Sequence, residues 1–160
     1  GDDNGDPVSA TNRVRLDCPV TIDSPGQDTT VMVDVYITND KDVAAFTLGF
    51  FDNSSQVAVS DIVGGPALPV GTVVQVNPNL ETNKALVLWY DGTSQNPLTP
   101  KQDERAFTLV LSIPAGAPAQ DINLDSVFVG PSGYWLFAFD GGGDARPAFD
   151  NCGSADVVIR

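Results

Sequence analysis

Two cysteines, Cys18 and Cys152, stand near opposite ends of a 160-residue chain that contains no histidine. Without imidazole the chain lacks the usual general base of serine and cysteine hydrolases and the commonest transition-metal ligand. Nothing beside the cysteines would stabilise a thiolate. Cys152 lies between Asn151 and Gly153 with Asp150 close by, and a carboxylate opposes the charge that a nucleophilic sulfur needs. The two are therefore expected to pair as a structural disulfide, as cysteines do in an exported chain, clamping the first core strand to the last. Paired carboxylates are the remaining route to catalysis, and they require one acid whose pKa an apolar pocket has raised. Asp34 and Asp125 fall at outward strand positions, and Asp52, Asp91, Asp140 and Asp144 fall in turns. No catalytic residue is assigned, and the chain is read as a non-enzyme.

Of 21 acidic residues only Glu81 and Glu104 are glutamates. Aspartate is the acid that suits turns and calcium. At the amino terminus Asp2, Asn4 and Asp6 take the first, third and fifth positions of a calcium loop. The sixth position, where glycine permits the sharp bend, is Pro7, and the place of the bidentate acid holds Arg13. The stretch is thus either a solvated acidic tail or a partial ligand set completed by a neighbouring subunit. Asp140 and Asp144, flanking three glycines, are a second acidic pair. Calcium is the one cofactor left open, with weak binding expected of the isolated chain because six to eight oxygens must converge. Asn53-Ser54-Ser55 matches a glycosylation acceptor at Asn53. The adjacent pairs Trp89-Tyr90 and Tyr134-Trp135 could supply a sugar platform, but alternation sends one ring of each pair to the opposite face, so at least one is expected in the core.

A formal charge of −13 makes nucleic acid and anionic membranes poor partners, since eight scattered cations build no phosphate-binding patch. No apolar run approaches the roughly 20 residues that span a bilayer, so membrane insertion is not expected. The chain opens on Gly1 and its one methionine is Met32, as where a leader has been removed or a boundary chosen.

The elements that must position these residues repeat with a period of two. Val31, Val33, Val35 and Ile37 alternate with wetter neighbours, as do Phe107, Leu109, Leu111 and Ile113. Further strands are predicted at 13–17, 43–51, 56–63, 72–76, 84–90, 122–129, 134–139 and 155–159, about ten short strands in all. Nearly every gap holds Gly or Pro. In 122–129 the apolar phase switches between Leu124 and Val127, the mark of a bulge or of a strand passing between sheets. The predicted fold is an all-β antiparallel sandwich, jelly-roll or Ig-like, over residues 13–160, preceded by a polar acidic arm at 1–12.

The runs VMVDVYITNDKDVAAFTLGF at 31–50, IPAGAP at 113–118 and INLDSVFV at 122–129 resemble the cohesin-like β-sandwich modules of bacterial extracellular proteins. The resemblance implies a jelly-roll of about nine strands that recognises protein partners, in the type members a dockerin, with no catalytic residues. The expectation is an extracellular or cell-surface structural subunit whose partners are copies of itself or another extracellular protein. Val8, Ala10, Asn12 and Val14 would form an assembly arm completing a neighbour's sheet edge and building a layer or fibre. A cohesin-like receptor and a carbohydrate-binding module are the alternatives.

Overall fold

The computed structural model describes residues 8–54, 56–69, 73–81, 84–92, 95–126, 135–153 and 155–160. Among them the chain forms thirteen strands and no helix: β1 Val8–Asp17, β2 Val20–Ile22, β3 Thr29–Asn39, β4 Val43–Asp52, β5 Ala58–Gly64, β6 Val73–Glu81, β7 Lys84–Tyr90, β8 Lys101–Ile113, β9 Gln120–Ile122, β10 Leu124–Ser126, β11 Leu136–Phe139, β12 Asp144–Asp150 and β13 Val157–Ile159. Ten of them follow one curled path, β5-β8-β3-β1-β12-β11-β4-β7-β6, with β10 added to β4. The path turns on β1 and β12, which pair in parallel, so that β5-β8-β3-β1 and β12-β11-β4-β7-β6 form the two layers of a sandwich. A small sheet, β2-β13-β9, stands apart from it.

The alternation predicted from sequence produces the core. Val31, Val33 and Val35 of β3 pair with Leu111, Leu109 and Phe107 of β8, and all six side chains are buried. Facing them are Phe46, Leu48 and Phe50 of β4, Val87 and Trp89 of β7, and Phe137 of β11. Phe46 joins the layers, its ring 5.5 Å from Trp89 and 5.9 Å from Phe107. Full burial of such a side chain contributes roughly 1.5–3 kcal/mol, and Phe50, 6.2 Å from Phe107, adds a second aromatic contact between the layers.

Several segments differ from the sequence expectation, among them β2, which is absent from it, and β6, which runs on to Glu81. β1 begins at Val8, inside the stretch assigned to the arm; Val8 and Ser9 pair with β12, and from Arg13 the strand pairs with β12 on one side and β3 on the other. β12 was hidden by Pro147, which has no N–H for a ladder. It is accommodated opposite Ser9, where the β1–β12 register shifts. Lys101 to Arg105 extend β8 despite their polarity, since they run on past the part of the strand that faces the core, which begins at the buried Ala106. Between Ile122 and Leu124 the chain crosses from the small sheet, where β9 pairs with β13, to the large one, where β10 pairs with β4. The crossing is therefore a passage between sheets, centred on Asn123, slightly before the predicted point.

Candidate protein-binding face

The two layers present outward faces of opposite chemistry. On β5-β8-β3-β1 the outward residues are polar and already engaged with one another. Arg15 holds Asp103 at 2.9 Å and lies over the Tyr36 ring at 4.4 Å, and the Asp103 carboxylate raises the Arg15 pKa. Arg105 donates to the Thr108 hydroxyl at 3.0 Å, which donates to Asp34 at 2.6 Å. Arg13 grips Asp150 through two nitrogens, at 3.0 and 2.7 Å. Met32 and Val63 are the exposed apolar residues of this face.

The other layer is different. On β4 the inward positions are Phe46, Leu48 and Phe50, so alternation turns Ala45, Thr47 and Gly49 to the other side of the sheet, where Ala45 and Thr47 are half-buried and Gly49 is buried. On β7 the inward Ala85, Val87 and Trp89 leave Leu86, Leu88 and Tyr90 outward, and on β11 inward Phe137 leaves Leu136 and Ala138. Register aligns these residues into rows: Leu136, Thr47 and Leu88 in one, Ala138, Ala45 and Tyr90 in the next, Gly49 and Leu86 in a third. Three strands by three rows span roughly 10 by 13 Å at ordinary strand spacing and rise. None of the eight carries a charge, in a chain whose net charge is −13. Antiparallel sheets that face water on one side normally show polar residues there. An uncharged leucine-bearing face has the composition of the centre of a recognition surface. At one end of it Asp140 donates its backbone N–H to the Asp42 carbonyl, and Asp91 its own to that of Ala44, which gathers three aspartates at the rim.

The sequence-predicted sites fall elsewhere. Cys18 and Cys152 are disulfide-bonded, tying the β1–β2 link to the β12–β13 link. Beside the bond lies Asp156, fully buried. It accepts the backbone N–H groups of Cys152 and Leu124, both at 2.7 Å, and burial raises its pKa against those two bonds. Asp2, Asn4 and Asp6 lie outside the described residues. Asp140 and Asp144 are exposed at the β11–β12 turn, and among the described residues no metal-competent cluster includes them. Asn12 and Val14 of the expected arm are buried within the chain's own sheet. Asn12 bonds Asp40 in both directions, at 3.1 and 3.3 Å, while Val8 and Ala10 belong to the same strand. From Arg13 to Arg15 β1 is thus interior, paired on both sides, whereas of residues 8–12 only Val8 and Ser9 are paired, and with β12 alone. Asn53 is exposed, but its side-chain oxygen accepts the Asn123 N–H at 2.9 Å, and Ser55 of its motif is outside the described residues. Both tryptophans are core residues and Tyr90 is outward. Asp52, expected in a turn, closes β4 and is 3% exposed. Its burial pushes the pKa up to about 6 against one hydrogen bond from the Ser54 backbone.

Sequence reasoning missed the apolar face, though a signal was present. Residues 85–90 are apolar at every position, where a strand wet on one side should alternate. Asp156 gave no signal at all.

The sequence matches no protein-family model and no curated protein. The fold does match solved structures. The sixth cohesin of scaffoldin B from Acetivibrio cellulolyticus, in complex with a Cel5 dockerin, superposes with a TM-score of 0.70 at 15% identity, over 94% of this chain and 99% of that one. A type I cohesin–dockerin complex from Clostridium thermocellum gives 0.72 at 14% identity, over 94% and 99%. A non-cellulosomal cohesin from the archaeon Archaeoglobus fulgidus gives 0.60 at 16%, over 94% and 91%. The chain has the cohesin β-sandwich fold.

Proposed function

We propose that this chain is a non-catalytic protein-recognition module working outside the cell, and that it receives a folded partner of the dockerin kind on the outward face of β4, β7 and β11. The observation that carries the reading is that face: an uncharged, leucine-bearing and half-buried patch, with Tyr90 exposed at one end, on a molecule otherwise dense in aspartate. The fold likeness supports it, since cohesins of this fold have been solved with dockerins bound. This reading stands ahead of self-assembly through an amino-terminal donor strand because Val8 and Ser9 already pair with β12, and Arg13 to Arg15 pair with both β12 and β3.

The test is a titration of the isotope-labelled chain with dockerin-type modules from the same source organism, followed by NMR and calorimetry. Binding should shift the signals of Leu86, Leu88, Thr47 and Ala138 and leave those of Met32 and Val63 in place. Leu88→Asp should weaken binding roughly thirtyfold, the ordinary cost of losing a central contact, with the fold retained. A Leu88→Asp chain that binds as tightly as the parent would sink the assignment of the face. Failure of every such module to bind would sink the assignment of the partner.

A further inference from the structure

The Cys18 sulfur, the Cys152 sulfur and a carboxylate oxygen of Asp156 lie within 4.8 Å of one another, the one such cluster among the described residues. Cys18 Sγ stands 3.5 Å from Asp156 Oδ1. A tetrahedral zinc-class ion with metal–sulfur bonds of about 2.3 Å and a metal–oxygen bond of about 2.0 Å places sulfur and oxygen about 3.5 Å apart. The sulfur–oxygen edge of such a site is therefore already in place. Asp156 is held for the role by backbone: its two oxygens accept the N–H groups of Cys152 and Leu124, and it is wholly buried while the two cysteines are half-exposed.

We propose that, once the disulfide is opened, Cys18, Cys152 and Asp156 form a binding site for a divalent metal of the zinc class, and that the metal replaces the covalent clamp between the β1–β2 and β12–β13 links. The chemistry balances in two steps. An external dithiol delivers two electrons and two protons to the Cys18–Cys152 bond, giving two thiols and leaving the reductant as its own disulfide. The metal ion then displaces both thiol protons to solvent and forms two metal–sulfur bonds and one metal–oxygen bond. Before the ion enters, two neutral thiols lie beside a buried carboxylate, and the divalent charge offsets the repulsion that losing their protons would otherwise create. This inference goes beyond the protein-recognition reading and does not depend on it.

The experiment uses the full chain, reduced, desalted under argon and titrated with Co2+ as a spectroscopic probe. One equivalent should produce a thiolate-to-cobalt charge-transfer band that Zn2+ abolishes by displacement, and the oxidised chain should show none. Zn2+ should raise the thermal midpoint of the reduced chain and leave that of the oxidised chain unmoved. Cys152→Ser should remove the band, and Asp156→Asn should weaken cobalt binding at least about tenfold, the lower end of what disturbing even a ligand-orienting partner costs. Because Asp156 also holds two backbone groups, X-ray absorption of the unmutated zinc form gives a second reading: two sulfur ligands with lighter atoms completing the shell. Absence of the charge-transfer band in the reduced parent chain, zinc bound without sulfur, or a folded Asp156→Asn chain of undiminished affinity would overturn the proposal.

Discussion

Asp52 and Asp156 are buried carboxylates held by backbone N–H groups, and burial raises both pKa values. For Asp52 the folded value, about 6, lies above the roughly 3.9 of an exposed aspartate. The folded state therefore binds the proton more readily than the unfolded one between those limits. The contribution of Asp52 to stability is fully present below about pH 4 and is lost as pH rises through 6, by at most about 3 kcal/mol. Asp52→Asn keeps an acceptor for the Ser54 N–H without the charge. Denaturation at several pH values should show the variant gaining stability relative to the parent between pH 4 and 7. A constant difference across that window would mean that Asp52 is not titrating there. Asp40, exposed and bonded by Thr11 and Asn12, is shifted the other way, those bonds lowering its pKa.

Among the elements, β1 and the β5–β8 pair have the clearest consequences. Val8 and Ser9 pair with Arg146 and Pro147 before the register shift, and Arg13 to Arg15 resume the pairing beyond it. Removing residues 1–7 should therefore leave the thermal midpoint near that of the parent, whereas removing 1–12 should lower it, since it strips part of the β12 ladder and the Asn12–Asp40 bonds. Equal midpoints for the two truncations would show that this part of β1 contributes nothing. Where β5 leaves its partner, Gly65 donates its N–H to the Ala106 carbonyl at 2.7 Å, and a Cβ at this position would meet the Arg105 carbonyl oxygen at 2.6 Å. Backbone cannot yield as a side-chain tip can. Gly65→Ala should cost about 1–3 kcal/mol, the range for overpacking a tight site, measured as a drop in the urea midpoint.

For the whole molecule, the Cys18–Cys152 bond spans 134 residues, joining the start of the described fold to its end. In the chain-entropy model a loop of that length stabilises by about 5 kcal/mol. Reduction in metal-free buffer should lower the denaturation midpoint and leave the folded spectrum unchanged below the transition. A midpoint indifferent to reduction would place the stability of the sandwich entirely in its core. That core, with its layers joined through Phe46, Trp89 and Phe107, leaves one outward face self-satisfied by ion pairs and, on the other, an uncharged patch across β4, β7 and β11. The recognition reading rests on that asymmetry.

Strand period, core membership and the excluded chemistries were legible in the sequence because they are local or compositional. Alternation at 31–37 and 107–113 marks the buried set directly, the lack of histidine removes imidazole chemistry, and two cysteines admit a single intramolecular pairing. Which strands become neighbours is not local. Residues 45–49, 86–90 and 136–138 form one face only because β4 pairs with β7 on one side and with β11 on the other. Asp52 reads as an ordinary turn acid and Asp156 as one position of the strand predicted at 155–159 until long-range pairing buries them, and residues 8–12 read as an arm until β12, more than 130 positions away, supplies a partner for Val8 and Ser9. Register between distant strands is set by packing and hydrogen bonding across the completed sandwich, and so only the tertiary structure could decide it.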